Sequence, residues 1–432
     1  MSELAEIRLW DTRIGAVQME NDIGIFQYDK DFLSSHIEVS PLMMPLNARP
    51  YRFPELLNTS FHGLPGLVAD SLPDSFGNAV INEWLSRQGK QASSFSPIDR
   101  LCYTGTRGMG ALEFFPLLEN PKESSVLHLE SLVELASQVM TNRNSLSVQY
   151  DPKNDETNSK AFTQILQVGS SAGGARAKAI IAYNPKTQEI RSGQVQAPEG
   201  FEYWLLKFDG VTNNGDKGFV DGKGFGLVEY AYYLMAQNCS LIMSKCRLLP
   251  ENGRNHFMTK RFDRTDTGQK IHMQSLGSLA HFDYNLPGAY SYEQAFQVME
   301  RLQLDKKAVE QFFRRMAFNI ITRNQDDHVK NISFLMNRQG IWSLAPAYDV
   351  TFSFNSESKW VRHHQMSMHG KTNDFTLEDF KECGKAMKLV RGRAESIVKD
   401  IEESIRKWPE IASQVGISEQ MITYIQNQFR IF

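Results

Sequence analysis

The most constraining feature of this chain is one long apolar-faced helix that runs into a polar loop and then a hairpin, between residues 305 and 349. Across Asp305–Thr322, the residues Val309, Phe312, Phe313, Met316, Ala317, Ile320 and Ile321 recur at i, i+3, i+4 spacing, which predicts a buried helix. Asn324-Gln325-Asp326-Asp327-His328-Val329-Lys330-Asn331 follows as a loop. Residues 332–336 then read as a strand, Asn337-Arg338-Gln339-Gly340 as a turn and residues 341–344 as the return strand. Such a hairpin carries Ala347-Tyr348-Asp349 back towards Asp326 and Asn331. Three oxygen-bearing side chains on one frame make a site for Mg2+ and a phosphoryl group.

Asp326 and Asn331 have four residues between them, the D-x-x-x-x-N spacing of a kinase catalytic loop. There the Asp takes the proton of an attacking hydroxyl and the Asn holds a metal ion. Asp327 competes for the role of base, but only Asp326 keeps that spacing to Asn331. The pattern is short enough to arise by chance, so upstream residues must support it. Val168-Gly169-Ser170-Ser171-Ala172-Gly173-Gly174-Ala175-Arg176-Ala177-Lys178 leads into an apolar strand at 179–183. Small residues let a backbone approach a polyphosphate and aim its N–H groups at the oxygens, while Arg176 and Lys178 supply charge. The stretch is not a Walker A motif, and taken alone it reads as a turn between strands.

Residues 202–209 form a strand with one cation, Lys207, among bulky apolar residues, where a phosphate-pairing lysine would stand. Residues 210–226 are a glycine-rich polar loop, and 227–237 a helix with Glu229 near its start. Glu229 is equally well explained as a partner for Lys207 or as an acid favoured at a helix N-terminus. Residues 256–264 read as a hinge strand, with backbone groups near Lys260 and Phe262 placed to meet an adenine.

The remaining segments set the frame. Residues 1–60 alternate apolar and polar positions around turn residues, predicting a small antiparallel sheet. Gly63–Gly66 opens a helical run, with Asp70 and Asp74 ahead of Val80, Ile81, Trp84 and Leu85. Gly105, Gly108 and Gly110 form a tight turn into a strand, since no helix start follows them as in a phosphate loop. An amphipathic helix covers 129–140, a polar loop 142–159, and further helices most of 376–428. His363, His364 and His369 lack a carboxylate or Cys at ligand spacing and read as solvated.

A net charge of -3 offers no global basic field for nucleic acid, and no apolar run approaches the roughly 20 residues of a membrane span. The start lacks a basic region followed by an apolar run, and the four cysteines form no C-x-x-C pair, so a cytoplasmic protein with reduced thiols is expected.

The ordered set of glycine loop, Lys207, Glu229, hinge strand, Asp326–Asn331, hairpin and Asp349, with Arg261-Phe262-Asp263-Arg264 and Tyr348-Asp349, resembles the HipA family of bacterial toxin kinases over nearly the whole chain. The resemblance implies an α+β fold, an atypical protein-kinase-like two-lobed arrangement with an N-terminal mixed β-rich lobe and an all-α C-terminal lobe. Its expected divisions are a sheet subdomain at 1–120, an ATP-binding part at 121–265 and a mainly helical lobe at 266–432. It implies ATP and Mg2+ as cofactors and transfer to a protein Ser or Thr, the target in the family being an aminoacyl-tRNA synthetase. Asp326 would act as base, Asn331 and Asp349 as metal ligands, and Lys207 as the phosphate clamp. Ser171, Gly173, Gly174, Ala175, Arg176 and Lys178 would cover the nucleotide, with His328 and Lys330 in the catalytic loop and Lys260 and Phe262 at the hinge. Autophosphorylation would fall on Ser171, or on its neighbour Ser170. Expected partners are a HipB-like helix-turn-helix antitoxin, with DNA met only through it, and no membrane. Two other readings are a corepressor acting through the antitoxin and a small-molecule phosphotransferase.

Overall fold

The computed structural model describes residues 3–118, 126–142, 165, 169, 176–211 and 224–432. The alternating N-terminal segment forms strands β1 (Leu4–Leu9), β2 (Thr12–Glu20) and β3 (Ile23–Tyr28), joined by β4 (Leu112–Phe115) in an antiparallel sheet of order β3-β2-β1-β4. Alternation puts Ala5, Ile7, Leu9, Val17, Phe26 and Phe114 into the core. Helices Ser75–Arg87 and Pro97–Thr104 lie between β3 and β4. Asp74 caps the first by accepting from Gly77 N at 2.6 Å, and Ser96 and Asp99 form a capping box on the second.

A second antiparallel sheet carries the lysines of interest. Its strands are β5 (Lys178–Tyr183), β6 (Ile190–Ser192), β7 (Glu202–Lys207), β8 (Cys246–Glu251) and β9 (Arg254–Lys260), in the order β6-β5-β7-β9-β8. Ala179, Ile181, Trp204, Leu206 and Met258 pack with Leu132, Val133, Ala136 and Met140 of helix Leu129–Asn142 and with Phe76 and Val80. Strand pairing sets Lys178 directly opposite Lys207, which puts both side chains on the sheet's other face. Helix Phe225–Asn238 packs against that sheet; at Gly226 a Cβ would lie 2.5 Å from the Asn255 carbonyl oxygen, so only glycine permits the approach.

The rest of the chain is mainly helical but not wholly so. Strands β10 (His272–Ser275), β11 (Tyr290–Ser291), β12 (Ser333–Met336), β13 (Trp342–Leu344) and β14 (Met366–Ser367) are interspersed. β12 and β13 are the expected hairpin, and β10 adds to its edge to give the order β10-β12-β13; β11 and β14 pair in parallel. An all-α second lobe is thereby corrected to a helical lobe with two small sheets. Helix Lys306–Ile321 forms where expected, capped by Asp305, with Phe312, Phe313, Met316, Ala317, Ile320 and Ile321 fully buried. Helices Leu377–Ala386, Arg393–Ile405, Trp408–Val415 and Glu419–Gln426 complete the lobe.

The Arg261–Arg264 segment joins the parts. Asp263, fully buried, accepts from Arg261 Nη2 at 2.7 Å, Arg264 Nη1 at 2.9 Å and Gly110 N at 2.7 Å. Arg264 donates in turn to the carbonyls of Gly108 and Gly110 at 3.0 and 2.8 Å. Gly110 has φ of +73°, a left-handed backbone that favours glycine. The glycine turn is thus a docking point for two buried arginines. Burial opposes the charge of Asp263, but Arg261 and Arg264 hold its carboxyl well below the usual range.

Candidate active site

Lys207 ends β7 with its ammonium between two carboxylates. Its Nζ donates to Glu229 Oε1 at 2.6 Å and to Asp349 Oδ1. Glu229 sits one turn into helix Phe225–Asn238 and is 3% exposed, so of its two sequence explanations the lysine partner is the one realised. Burial works against the charge on Lys207, yet Asp349 and then Glu229 hold its pKa above the ordinary lysine value. For Asp349 burial is outweighed by Lys207, and its carboxyl lies well below the usual range. Burial pushes Glu229 up despite Lys207. Lys207 thus favours the charged form of Asp349 more strongly than that of Glu229, and 35% of the Asp349 side chain remains exposed to receive another cation.

Two local devices place Asp349. Its φ of +55° is left-handed, a conformation Asp tolerates better than most residues. Beside it, Tyr348 donates to the Lys330 carbonyl at 2.6 Å and shares a 2.6 Å hydrogen bond with Ser333 Oγ. Its ring lies 5.4 Å from that of Phe262. The preceding Ala347 pairs with Met243, and Ser244 donates its hydroxyl to the Lys260 carbonyl. One short segment thus connects the 324–331 loop, the 243–262 region and Lys207.

Asp326 and Asp327 are neighbours with different surroundings. Asp327 has a side chain 1% exposed and accepts from Tyr292 OH at 2.7 Å, His364 Nδ1 at 2.8 Å and Gln365 N at 2.8 Å. Burial opposes its charge, but His364 and these hydrogen bonds lower its pKa. Arg430 Nη1 donates to His364 Nε2 at 2.8 Å, which leaves the imidazole N–H on Nδ1 for Asp327. Asp326 keeps 22% of its side chain exposed, accepts from Gln365 Nε2 at 2.5 Å and has His328 Nε2 at 3.8 Å. Asn331 donates from Nδ2 to the Asp326 carbonyl at 2.8 Å, which orients its Oδ1 as an acceptor. Lys330 Nζ stands 4.6 Å over the Tyr284 ring.

The other expected site residues are placed as follows. Lys178 is 2% exposed and bonds Asp74 Oδ2 at 2.9 Å, so its ammonium ties β5 to the cap of helix Ser75–Arg87 while still acting on the charge of Asp349. Arg176 lies over the Phe225 ring at 5.4 Å and also acts on Asp349. Ser170, Ser171, Gly173, Gly174 and Ala175 lie outside the described residues. The Lys260 amide donates to the Lys245 carbonyl at 2.8 Å and its carbonyl accepts from the Ser244 hydroxyl, so both backbone groups are engaged and neither is left for an adenine, contrary to expectation. Its ammonium pairs with Glu202 and Asp266 at 3.1 and 2.8 Å. The Phe262 main chain has no hydrogen-bond partner among the described residues and can meet a base edge.

The solvated reading of the histidines holds for His363, is corrected for His369, whose Nδ1 hydrogen-bonds Asp379 Oδ1 at 2.9 Å although its ring is half exposed, and is corrected for His364, which is buried at 1% exposure and holds Asp327. Gln365, Tyr292 and Arg430 were not anticipated. They lie 34 residues or more from Asp326 in sequence with no spacing rule to connect them, and only the fold brings them together.

Among the described residues, no group of three or more His, Cys, Asp or Glu could hold a metal. Asn331 Oδ1 and the exposed Asp349 carboxylate still fit Mg2+, which takes one or two protein oxygens and completes its shell with water and phosphate.

A buried Lys–Glu pair with a carboxylate beside it, and an Asp and an Asn on the loop tied to that carboxylate's neighbour Tyr348, are groups of the kind phosphoryl transfer uses. Residues 170–408 match the HipA-like C-terminal domain and residues 5–115 the HipA N-terminal domain, so the chain belongs to the HipA family. The solved complex of Shewanella oneidensis HipA with HipB and operator DNA includes a chain of the same two-lobed fold, with TM-score 0.67 and 16% identity over 98% of this chain and 95% of that one. A putative kinase, Y4mE of Sinorhizobium fredii, is 26% identical over 187 residues; the match spans 40% of this chain and 44% of that relative. The Helicobacter pylori proinflammatory kinase CtkA aligns over half of this chain and 90% of its own, at 12% identity and TM-score 0.30.

Proposed function

We propose that the chain is an ATP- and Mg2+-dependent Ser/Thr protein kinase, the toxin of a toxin–antitoxin pair. The observation that carries this reading is Lys207 held between Glu229 and Asp349, with Asp326 and Asn331 on a loop joined to the Asp349 segment by the Tyr348–Lys330 hydrogen bond. Lys207 binds the phosphates of the nucleotide and is kept charged and immobile by its two carboxylates. Mg2+, held by Asn331 and Asp349, would neutralise charge developing on the phosphates. Asp326 receives the proton of the substrate hydroxyl, and Asp327, saturated by three donors, fixes the loop rather than taking part. His328 orients Asp326, and Lys330 stands ready for the transferring group. The Phe262 main chain meets the adenine. In this mechanism positioning and electrostatics do the catalysis.

The substrate is a protein hydroxyl, by family resemblance one on an aminoacyl-tRNA synthetase, and Ser171 or Ser170 is its own second target. A phosphate there adds about -1.5 to -2 charges where ATP phosphates must sit, so the product inhibits its maker. Partnership with a HipB-like antitoxin is supported by the Shewanella complex, and DNA is reached through that partner. No helix among the described residues is long and apolar enough to cross a membrane. Peptide mapping after incubation with Mg2+ and labelled ATP tests the loop assignment: label on Ser171 or Ser170 is expected, and label confined elsewhere overturns it. Phosphoproteomics of cells expressing wild type against Asp326→Asn tests the target, with a synthetase peptide expected in the wild type alone.

A further inference from the structure

We infer that Gln365 is a positioning residue for phosphoryl transfer, which sets the two adjacent aspartates into different roles by binding both at once. The inference rests on the kinase reading of Asp326. Gln365 is 3% exposed and immediately precedes β14. Its backbone N–H donates to Asp327 Oδ1 at 2.8 Å, and its side-chain Nε2 donates to Asp326 Oδ1 at 2.5 Å. Its carbonyl accepts from Gly288 N at 2.8 Å, so the backbone on which both contacts depend is itself anchored. One residue therefore contacts both carboxylates, from a segment 38 to 39 residues away in sequence.

The chemistry of the amide fixes its sense. With the amide reversed, Oε1 would face Asp326 Oδ1, two oxygens with no proton between them when the carboxylate is ionised. The observed orientation leaves Oε1 buried with no hydrogen-bond partner among the described residues. A buried amide that leaves its oxygen unpaired is held in place by what its nitrogen does, here the bond to Asp326. The consequence for the reaction is directional. Holding Oδ1 of Asp326 stops the carboxylate rotating about its Cβ–Cγ bond and so fixes the direction in which it meets a substrate hydroxyl. Asp327 needs no such help, because Tyr292 and His364 hold its other oxygen.

Replacing Gln365 by Met keeps the length and removes the donor; replacing it by Glu keeps the shape and sets a carboxylate against Asp326. In a Mg2+/ATP transfer assay with a hydroxyl-bearing protein acceptor or the chain itself, kcat should fall about 10- to 100-fold for Gln365→Met, the scale of losing near-attack geometry. It should fall further for Gln365→Glu. KM for ATP should stay within about twofold, because the nucleotide is held by Lys207 and not by Asp326. A structural role alone would instead lower the thermal midpoint and affect KM and kcat together. Wild-type kcat in Gln365→Met overturns the inference, as does a loss seen equally in KM. Should Gln365→Met fail to fold, a folded Gln365→Glu with wild-type kcat overturns it equally. Asp326→Asn run alongside separates the two claims: activity of that variant equal to wild type refutes the kinase reading, whereas an inactive Asp326→Asn beside a fully active Gln365→Met refutes only the role of Gln365.

Discussion

Glu229→Gln tests the charge arrangement at its most buried point. At 2.6 Å and an effective dielectric near 20, the attraction between Glu229 and Lys207 is on the order of 6 kcal/mol before desolvation. Charging a carboxylate that is 3% exposed costs several kcal/mol of this, in keeping with burial pushing its pKa up. Breaking a buried pair generally costs about 3–5 kcal/mol because a charge is stranded. Asp349 still neutralises Lys207 here, so about 3 kcal/mol is expected. With about 2.1 cal/mol/K per residue over 432 residues, the unfolding entropy is roughly 0.9 kcal/mol/K and the midpoint falls by about 3 °C. Activity should suffer more than stability. An ammonium drawn from between two anchors towards Asp349 alone is displaced on the ångström scale, which costs on the order of 100-fold in transfer rate. Differential scanning fluorimetry and a transfer assay at 25 °C measure both. Unchanged activity with a lowered midpoint would refute the catalytic account of the pair; unchanged values of both would refute the ion pair itself.

Other outcomes follow from the same contacts. Asp263→Asn leaves Arg261 and Arg264 short of their shared counter-charge in a fully buried setting and should cost about 3–5 kcal/mol, read by denaturant unfolding and by earlier proteolysis near the Gly108–Gly110 turn. The stabilisation from Asp263 is present above the ordinary carboxylate pKa and lost as pH falls towards its depressed folded value. His272, fully buried, is brought down to about 4 by burial and should stay neutral from pH 8 to pH 5 in NMR titration of its imidazole. Its folded pKa lies below the unfolded one, so the unfolded chain binds the extra proton and stability declines as pH falls from about 6.5 to 4. A His272 resonance that titrates near 6.5 would contradict this.

The sequence made legible what depends on local periodicity. The helix delivering the loop, the β12–β13 hairpin and the strand bearing Lys207 all lie within a few residues of their expected bounds, because apolar spacing alone marks them. The choice of Asp326 over Asp327 came from spacing; in the structure Asp327 accepts from three donors at 1% exposure, while Asp326 keeps 22% of its side chain exposed. What could not be read was long-range. His364 looked solvated because nothing in its neighbours reveals Asp327 and Arg430 on either side of the ring. Lys178 looked like a loop cation because Asp74, its partner, lies 104 residues away. β10 is only four residues long, and what makes it a strand is the edge of β12 that it joins.

The central claim is that Asp326 and Lys207 form one site that moves the γ-phosphoryl group of ATP to a hydroxyl. Its most direct test incubates wild type and Asp326→Asn with Mg2+ and ATP labelled either at the γ- or at the α-phosphate, and measures covalent label on protein. The account predicts γ-label on wild type, none on Asp326→Asn despite retained nucleotide binding, and no α-label on either. Equal γ-labelling of the two proteins, or transfer of the α-label, would contradict it.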